Sequence, residues 1–250
     1  MNLLSRTVLL ATLLTAWPAA AQEPTAELHF TRLQYETVNR CANLVGSFRQ
    51  AWTTDRYEAE YNFTDIIARL TRVAVATSDR DFRTFSLMDD KLFEYPWLYG
   101  VEVGHWYLSD PEAERLREYL LRGGFLMVDD FHGPCEWEVF SESMRRVFPN
   151  RPIFDIPPDH EIFHLVYEVD HFTQIWGIIL LGSGITYENG GKDPHWRGIV
   201  DDEGRLMVVI NHNMDLGDAW EHANDPRYPT DLTALAYRFA INYVVYALTH

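Results

Sequence analysis

The sequence has few basic residues, only two cysteines, and no apolar run long enough to stay in a membrane. Lysine and arginine together number 21 against 37 aspartates and glutamates, which gives a formal net charge of −16 over 250 residues. Such a surface repels phosphate backbones and anionic lipid, so we expect no nucleic-acid partner. The acidic charge is compatible with plain solubility, and equally with attraction of a metal ion or a cationic partner.

Three common catalytic signatures are absent. The chain contains no G-x-S-x-G nucleophile elbow, no G-x-x-x-x-G-K-[ST] phosphate loop and no G-x-G-x-x-G dinucleotide fingerprint. Serine-based and nucleotide-based catalysis therefore have little support. Whether the protein is an enzyme at all stays open at this level, and we lean towards a binding protein.

The first 21 residues predict a secretory signal peptide. Arg6 precedes an apolar run over 7–17, and alanines at 19–21 form a small-residue cleavage site. The run is shorter than the roughly 20 residues that a membrane-spanning helix needs. An uncleaved anchor is the alternative. We expect a mature chain over 22–250 that is periplasmic or secreted, without stable membrane insertion after cleavage.

The two cysteines, Cys41 and Cys135, allow only one intrachain pairing. Export would place them in an oxidising compartment, where a disulfide persists. Each cysteine follows a predicted strand, and the two strands, if parallel, end at the same edge of the sheet. A disulfide is therefore plausible, with two buried thiols as the alternative.

One segment predicts a strand, a helix and a second strand in succession. Residues 96–102 are typical of a strand, Asp110 and Pro111 of a capped helix start, and Gly123 of a helix end. Residues 125–128 (F-L-M-V) form the uninterrupted apolar pattern of a strand covered on both faces. The segment predicts a right-handed βαβ unit, and hence an α/β fold with a mostly parallel sheet.

Other segments show weaker patterns. Residues 39–61 are polar and aromatic and predict a long loop, with or without a short helix, before a helix that starts at Asn62 or Thr64. No internal repeat or linker divides the chain, so we expect one domain over 22–250. The remaining expected elements are strands at 27–35, 72–77 and 163–169, a hairpin over 196–210 and a terminal helix over 232–247.

Polar residues directly follow the apolar run 125–128. Asp129, Asp130 and His132 stand there, and a helix is predicted to begin at Pro134. Ligands of open α/β sheets bind outside the carboxyl ends of the strands. Adjacent carboxylates on a strand point in opposite directions, so one can face a cleft while the other caps a helix or binds backbone amides.

A second polar cluster follows the predicted strand 206–210. Its side chains could bind a metal or sugar hydroxyls, or could simply bond their own backbone in a turn-rich loop. The cluster comprises Asn211, His212, Asn213, Asp215, Asp218, Glu221 and His222. If both clusters share one sheet edge, the candidate ligand-binding residues are Asp129, Asp130, His132, Asn211, His212 and Asp215, with His105 and Trp220 at the margin.

A divalent metal is a candidate cofactor, although none is assigned. Imidazoles and carboxylates suit zinc and other divalent metals, and the candidate ligands are His105, Asp130, His132 and His212. His160, Glu161 and His164 also match H-E-x-x-H, which binds zinc when it lies on a helix. The apolar alternation over 163–169 favours a strand, which would separate the two imidazoles, so we favour a chance match.

The chain resembles an uncharacterised bacterial family, domain of unknown function 4159, over residues 28–249. The resemblance rests on Y-P-W-L-Y-G and G-H-W before the capped helix, on E-Y-L-L-R-G-G-F-L-M-V-D-D, on P-P-D-H-E-I-F-H, on G-R-L-M-V-V-I-N-H-N-M-D-L-G-D-A-W-E and on R-F-A-I-N-Y-V-V-Y-A-L-T. The family is similar to a branch of the class I glutamine amidotransferase-like superfamily. That similarity implies a flavodoxin-like three-layer α/β sandwich.

In that superfamily a nucleophilic cysteine with a histidine partner stands at the elbow after the corresponding strand. Here Asp129 and Asp130 occupy the elbow and Cys135 lies beyond it, so we do not expect amidotransferase activity. The leading hypothesis is an exported protein that binds a small polar ligand or an envelope protein at the strand-end cleft. A metal-dependent hydrolase and a structural envelope component are the alternatives.

Overall fold

A seven-stranded mixed sheet forms the centre of the protein. The computed structural model describes residues 26–41 and 50–250. Its strands are β1 (Thr31–Gln34), β2 (Glu36–Thr37), β3 (Arg83–Ser86), β4 (Trp97–Val101), β5 (Trp106–Tyr107), β6 (Phe125–Asp129), β7 (Phe154–Asp155), β8 (His195–Val200) and β9 (Leu206–His212). The large sheet has the order β3-β1-β4-β6-β9-β8-β7, and β2 pairs with β5 separately. Within the large sheet, β8 runs opposite to the other six strands.

Helices cover both faces of this sheet. They are α1 (Glu58–Leu70), α2 (Asp110–Leu121), α3 (Gly133–Val147), α4 (Leu216–Glu221) and α5 (Thr230–Thr249). One buried cluster joins α1, α4 and α5 to one face of the sheet, and a second joins α2 and α3 to the opposite face. The predicted α/β fold with a mostly parallel sheet is confirmed.

The position of β6 at the centre of the sheet explains why its sequence is apolar without interruption. All five of its residues are buried. Met127 belongs to the cluster beneath α1 and α5, whereas Leu126 and Val128 belong to the cluster beneath α2 and α3. Because successive side chains of a strand point to opposite faces, both faces have to be apolar here.

The start of α2 differs by one residue from the prediction. Ser109, not Asp110, is the N-cap, and it forms a capping box with Glu112. Glu112 reaches back to the backbone N–H of Ser109 at 2.8 Å. Gly123 ends the helix with φ +105°, as predicted. Aspartate and serine are both good caps, so the local sequence does not separate the two positions.

Two predicted strands are wrong. Residues 72–77 contribute a single bridge, from Val75 to Leu28, because β3 lies beside β1 instead. Residues 163–169 form no strand, since Asn242 of α5 binds their backbone directly. Its Oδ1 accepts from the N–H groups of Val166 and Tyr167 at 3.0 Å each. A side chain thus supplies the hydrogen bonds that a neighbouring strand would supply.

The helix expected from Asn62 or Thr64 starts earlier, at Glu58. Asn62 lies inside it and donates to the carbonyl of Trp220 in α4, while Thr64 bonds back to Glu60. The hairpin of β8 and β9 and the terminal helix α5 are confirmed. The predicted signal peptide lies outside the described residues. Within those residues, no helix combines the length and hydropathy needed to cross a membrane.

The predicted disulfide is present between Cys41 and Cys135, whose Cα atoms are 5.9 Å apart. Cys135 lies in the first turn of α3, so the bond joins this turn to the segment that follows β2. The bond is consistent with an extracytoplasmic protein. It also leaves no free thiol in the chain.

We expect the double substitution Cys41→Ser, Cys135→Ser to lower the free energy of unfolding by about 4–5 kcal/mol, since the bond restricts a long loop of the unfolded chain. Urea unfolding of the oxidised wild type and the variant measures the difference. Dithiothreitol should destabilise the wild type by a similar amount and leave the variant unchanged. Equal unfolding midpoints for oxidised and reduced wild type would contradict this prediction.

Candidate functional site

Three neighbouring strands of the sheet end in residues with left-handed backbone. Glu102 follows β4 with φ 53°, Asp130 follows β6 with φ 54°, and Asn213 follows β9 with φ 64°. Residues other than glycine rarely adopt this conformation, and it concentrates at functional sites and tight turns. These turns carry polar side chains at the carboxyl edge of the sheet, where the sequence predicts a site.

Asp129 holds the start of α4. Its side chain is fully buried, and Oδ2 accepts hydrogen bonds from the N–H groups of Leu216 at 2.7 Å and Gly217 at 2.9 Å. The hydroxyl of Tyr99 donates to the same oxygen at 3.4 Å. Oδ1 has no hydrogen-bond partner. Burial raises the pKa of the Asp129 carboxyl to about 7, although its amide contacts act in the opposite direction.

Asp130 and His132 form a buried pair at the turn between β6 and α3. Oδ1 of Asp130 lies 3.1 Å from Nε2 of His132, and only 6% and 4% of the two residues are exposed. The backbone N–H of His132 donates to the Glu136 carboxylate. Nδ1 of His132 has no partner. As expected, the two adjacent aspartates point to different surroundings, and Asp130 stands at the elbow.

Several carboxylates converge beside this turn. A Cβ atom added to Gly177 would lie 2.6 Å from Oδ2 of Asp215, 3.1 Å from Oδ2 of Asp218 and 3.2 Å from Oε1 of Glu188. Oxygens of Asp55, Asp215 and Asp218 also lie within 4.8 Å of one another. We call the set the acidic cradle, and it comprises Asp55, Asp129, Asp130, Glu188, Asp215 and Asp218.

The acidic cradle has little compensating positive charge. Among the described ion pairs, none joins a lysine or arginine to any of its six carboxylates; only His132 and His222 approach them. Arg32 acts on Asp55 electrostatically, but its guanidinium pairs with Glu60 at 2.6 Å. Burial raises the pKa of Asp55, Asp130 and Asp215 well above the usual range, and neighbouring carboxylates raise it further.

His212 lies apart from the cradle contacts and has both ring nitrogens occupied. Nη1 of Arg197 donates to its Nδ1 at 3.3 Å, which leaves Nε2–H to donate to the carbonyl of Gly133 at 3.3 Å. The ring packs on Trp137 and His195. Burial lowers the pKa of His212 to about 3, so the imidazole is neutral. These contacts orient the ring at the wall of an open pocket, which Trp137, His195 and Asn213 also line.

Two other predicted site residues are also held by internal contacts. Asn211 is fully buried and accepts from the hydroxyl of Tyr243 at 3.2 Å. Trp220 is fully buried and packs against Phe63 and Tyr99. Of the residues predicted from the sequence, the structure places Asp129, Asp130, His132 and Asp215 in or beside the cradle, and His105 next to Glu136.

The H-E-x-x-H segment does not assemble a ligand set. Glu161 belongs to a short 3-10 turn, and Nδ1 of His160 accepts from the N–H of Ile162. His164 instead contacts Glu168 at 2.6 Å and the carbonyl of Pro158 at 2.8 Å. Those contacts raise the pKa of His164. Within the part of the chain that the structure describes, the ligand atoms of this motif do not come within 4.8 Å of one another as a group of three.

Four carboxylates of this edge are absent from the predicted set. Glu102 follows β4 directly and Glu136 lies in the first turn of α3, so their positions after predicted strands could have drawn attention to them. Asp55 and Glu188 come from irregular segments far away in sequence. No local pattern links those two residues to the strand ends.

A match to a known protein family extends over almost the whole chain. A family model described as Domain of unknown function (DUF4159) matches residues 29–248. The chain belongs to the DUF4159 family. No curated protein sequence matches it. The function of this DUF4159 domain therefore has to be argued from the chemistry of its strand-end edge.

We expect Asp129→Ala to lower the free energy of unfolding by about 3 kcal/mol, since two buried amides lose their acceptor oxygen. Asp129→Asn keeps an acceptor oxygen for these amides and should cost clearly less. Equilibrium urea unfolding of both variants at pH 7 measures the difference. Equal losses for alanine and asparagine would contradict a hydrogen-bonding role.

We also expect the metal-free protein to become less stable as the pH rises from about 4 to about 7. The pKa of Asp129 is about 7 in the folded protein and about 3.9 in an unfolded chain, so over this range only the folded state keeps the proton. Thermal unfolding in EDTA at several pH values measures the trend. Asp129→Asn should make it less steep, while the raised pKa of Asp55, Asp130 and Asp215 keeps part of it and the lowered pKa of His212 opposes it. A wild type that gains stability over this range would contradict the prediction.

Proposed function

We propose that this DUF4159 domain is an extracytoplasmic binding protein whose acidic cradle takes a small, positively charged ligand. The observation that carries the proposal is a group of four converging carboxylates, with two more at the end of β6 that interact with them electrostatically, and no lysine or arginine ion pair to any of the six among the described residues. The disulfide supports an extracytoplasmic site of action, and periplasmic or secreted localisation is part of the proposal.

Charge compensation gives the physical reason. An ionised carboxylate in a buried position is costly unless it is paired or protonated. In the free protein the raised pKa of Asp130 and Asp215 keeps protons on the cluster. A cationic ligand would replace those protons and gain the attraction of several carboxylates at once. Ammonium groups and oxygen-coordinated metals such as Ca²⁺ share this chemistry.

We further propose that the domain is amidotransferase-like and lacks the cysteine nucleophile. Asp130, with its left-handed backbone between β6 and α3, stands where that superfamily places the nucleophile. Cys135 lies in α3 and is bonded to Cys41, so its sulfur is not a thiol. These two observations support the loss of the nucleophile, and the order β3-β1-β4-β6-β9 of the parallel strands supports a flavodoxin-like three-layer arrangement.

The other functions predicted from the sequence stay predictions. A partner protein with a cationic segment could use the same cradle, and a structural envelope component would need no ligand. A metal-dependent hydrolase would need a metal site first. An experiment has to show which type of ligand, if any, the cradle binds.

The test measures ligand binding to purified protein stripped of metal by EDTA. We expect calorimetry and thermal unfolding to detect either an organic cation, from a panel of spermidine, lysine and choline, or Ca²⁺ or Mg²⁺. A ligand at 100 times its Kd stabilises a protein by about 2.7 kcal/mol. Binding should be tighter at pH 8 than at pH 5, because protons compete for the carboxylates.

Asp215→Asn and Asp55→Asn should weaken this binding, whereas Glu138→Gln, an exposed carboxylate paired with Arg145, should not. Asparagine at 215 keeps an oxygen that can accept from Asp218 N–H, as Asp215 does in α4. Failure of the whole panel to bind, or equal binding by Asp215→Asn and wild type, would overturn the proposal.

A further inference from the structure

A second group of ligand atoms lies at the neighbouring strand end. Glu102 follows β4, His105 closes the short 3-10 turn Val103–His105, and Glu136 lies in the first turn of α3. One nitrogen and two carboxylate oxygens from these residues lie within 4.8 Å of one another. None of the three belongs to the acidic cradle.

The spacing of these atoms is too long for hydrogen bonds and close to that of metal ligands. Nε2 of His105 lies 3.8 Å from Oε2 of Glu102 and 3.6 Å from Oε1 of Glu136. Hydrogen bonds between such atoms are about 2.7–3.2 Å long. Ligands held about 2.1 Å from a tetrahedral ion stand about 3.4 Å apart. Small side-chain movements would bring all three atoms to one ion.

His105 is the independent sign of a missing ligand. Only 2% of the residue is exposed, and its Nδ1 has no hydrogen-bond partner. Its Nε2 faces the two carboxylates without reaching hydrogen-bond distance of either. A buried imidazole without hydrogen bonds is costly, because polar groups lose their water on burial. An ion between the three residues would bind Nε2, the nitrogen that faces the carboxylates, and would leave Nδ1 without a partner.

Glu136 is already oriented for such a role. Its Oε2 accepts from the N–H of His132, and its Oε1 accepts from Nδ2 of Asn189 at 2.7 Å. A Cβ atom on Gly104 would lie 2.3 Å from Cβ of Glu136, so only glycine lets the turn approach the helix this closely. Hydrogen bonds that fix a ligating carboxylate are typical of metal sites.

Electrostatics also favour a cation here. Among the described ion pairs, Glu102 and Glu136 face only His105. Burial raises the pKa of Glu102 well above its usual range, and the charges of Asp130 and Glu136 add to the effect. A divalent ion would supply the positive charge that these carboxylates lack.

We propose that Glu102, His105 and Glu136 bind a divalent first-row transition-metal ion, with zinc as the reference ion. One imidazole and two carboxylates suit this class of metal. Three protein ligands leave a coordination position for water or a substrate atom, as in catalytic zinc sites. The inference goes beyond the proposed function, because it uses different residues and a different ligand.

The experiment titrates the metal-stripped, disulfide-bonded protein with Co²⁺ and Zn²⁺. We expect one equivalent of Co²⁺ to produce visible absorption bands, and one equivalent of Zn²⁺ to displace it. Glu102→Gln should weaken zinc binding by about 100-fold or more, since it removes a ligand rather than a supporting contact. His105→Gln should do the same, and His164→Gln is the matched control that tests the H-E-x-x-H segment.

Glu102 is the less buried partner, with 18% of its side chain exposed, so Glu102→Gln keeps the test decisive if His105→Gln does not fold. Circular dichroism checks that each variant is folded. The proposal is overturned if zinc does not bind stoichiometrically, or if Glu102→Gln and wild type bind it equally. Loss of zinc in Asp215→Asn alone would place the ion in the acidic cradle, which supports the proposed function and rejects this site.

Discussion

The strand-end edge depends on one interaction, the pair of hydrogen bonds that the first two amides of α4 donate to the Asp129 carboxylate. They join the end of the central strand to a helix that also packs on α1 and α5. Gly217 also lets Asp55 approach α4 closely, since a Cβ there would lie 2.1 Å from an oxygen of Asp55. The position of α4 in turn places Asp215, its N-cap, and Asp218 at this edge.

The elements that local sequence could predict are those with strong periodic or capping signals. The β4-α2-β6 unit, the hairpin of β8 and β9, and α5 all carry such signals, and all are present. The strand expected at 163–169 has an equally good alternating pattern, but Asn242, more than 70 residues away, satisfies its backbone instead. Alternation reports which side chains are buried, and it does not report where the backbone finds its hydrogen bonds.

The candidate site was predictable only where it lies beside a clear strand. Asp129 and Asp130 follow β6, and their opposite directions follow from strand geometry. His212 ends β9, yet Arg197 and Gly133 occupy both of its nitrogens, so a similar position gives an imidazole that is already held by internal contacts. Asp55 and Glu188 reach the cradle only through tertiary packing. The sequence thus predicted the edge of the sheet at which the site lies. Which polar side chains there remain without internal hydrogen-bond partners depends on tertiary packing.

The shortest strand of the large sheet has a consequence for association between molecules. β7 consists of Phe154 and Asp155 alone and forms one border of the sheet. The unpaired backbone groups of a border strand are a template on which another chain can add a strand, and short border strands carrying charge limit that addition. Asp155 also pairs with Arg197 of β8 at 2.9 Å. An intruding strand would find few free backbone groups here, so this border resists aggregation.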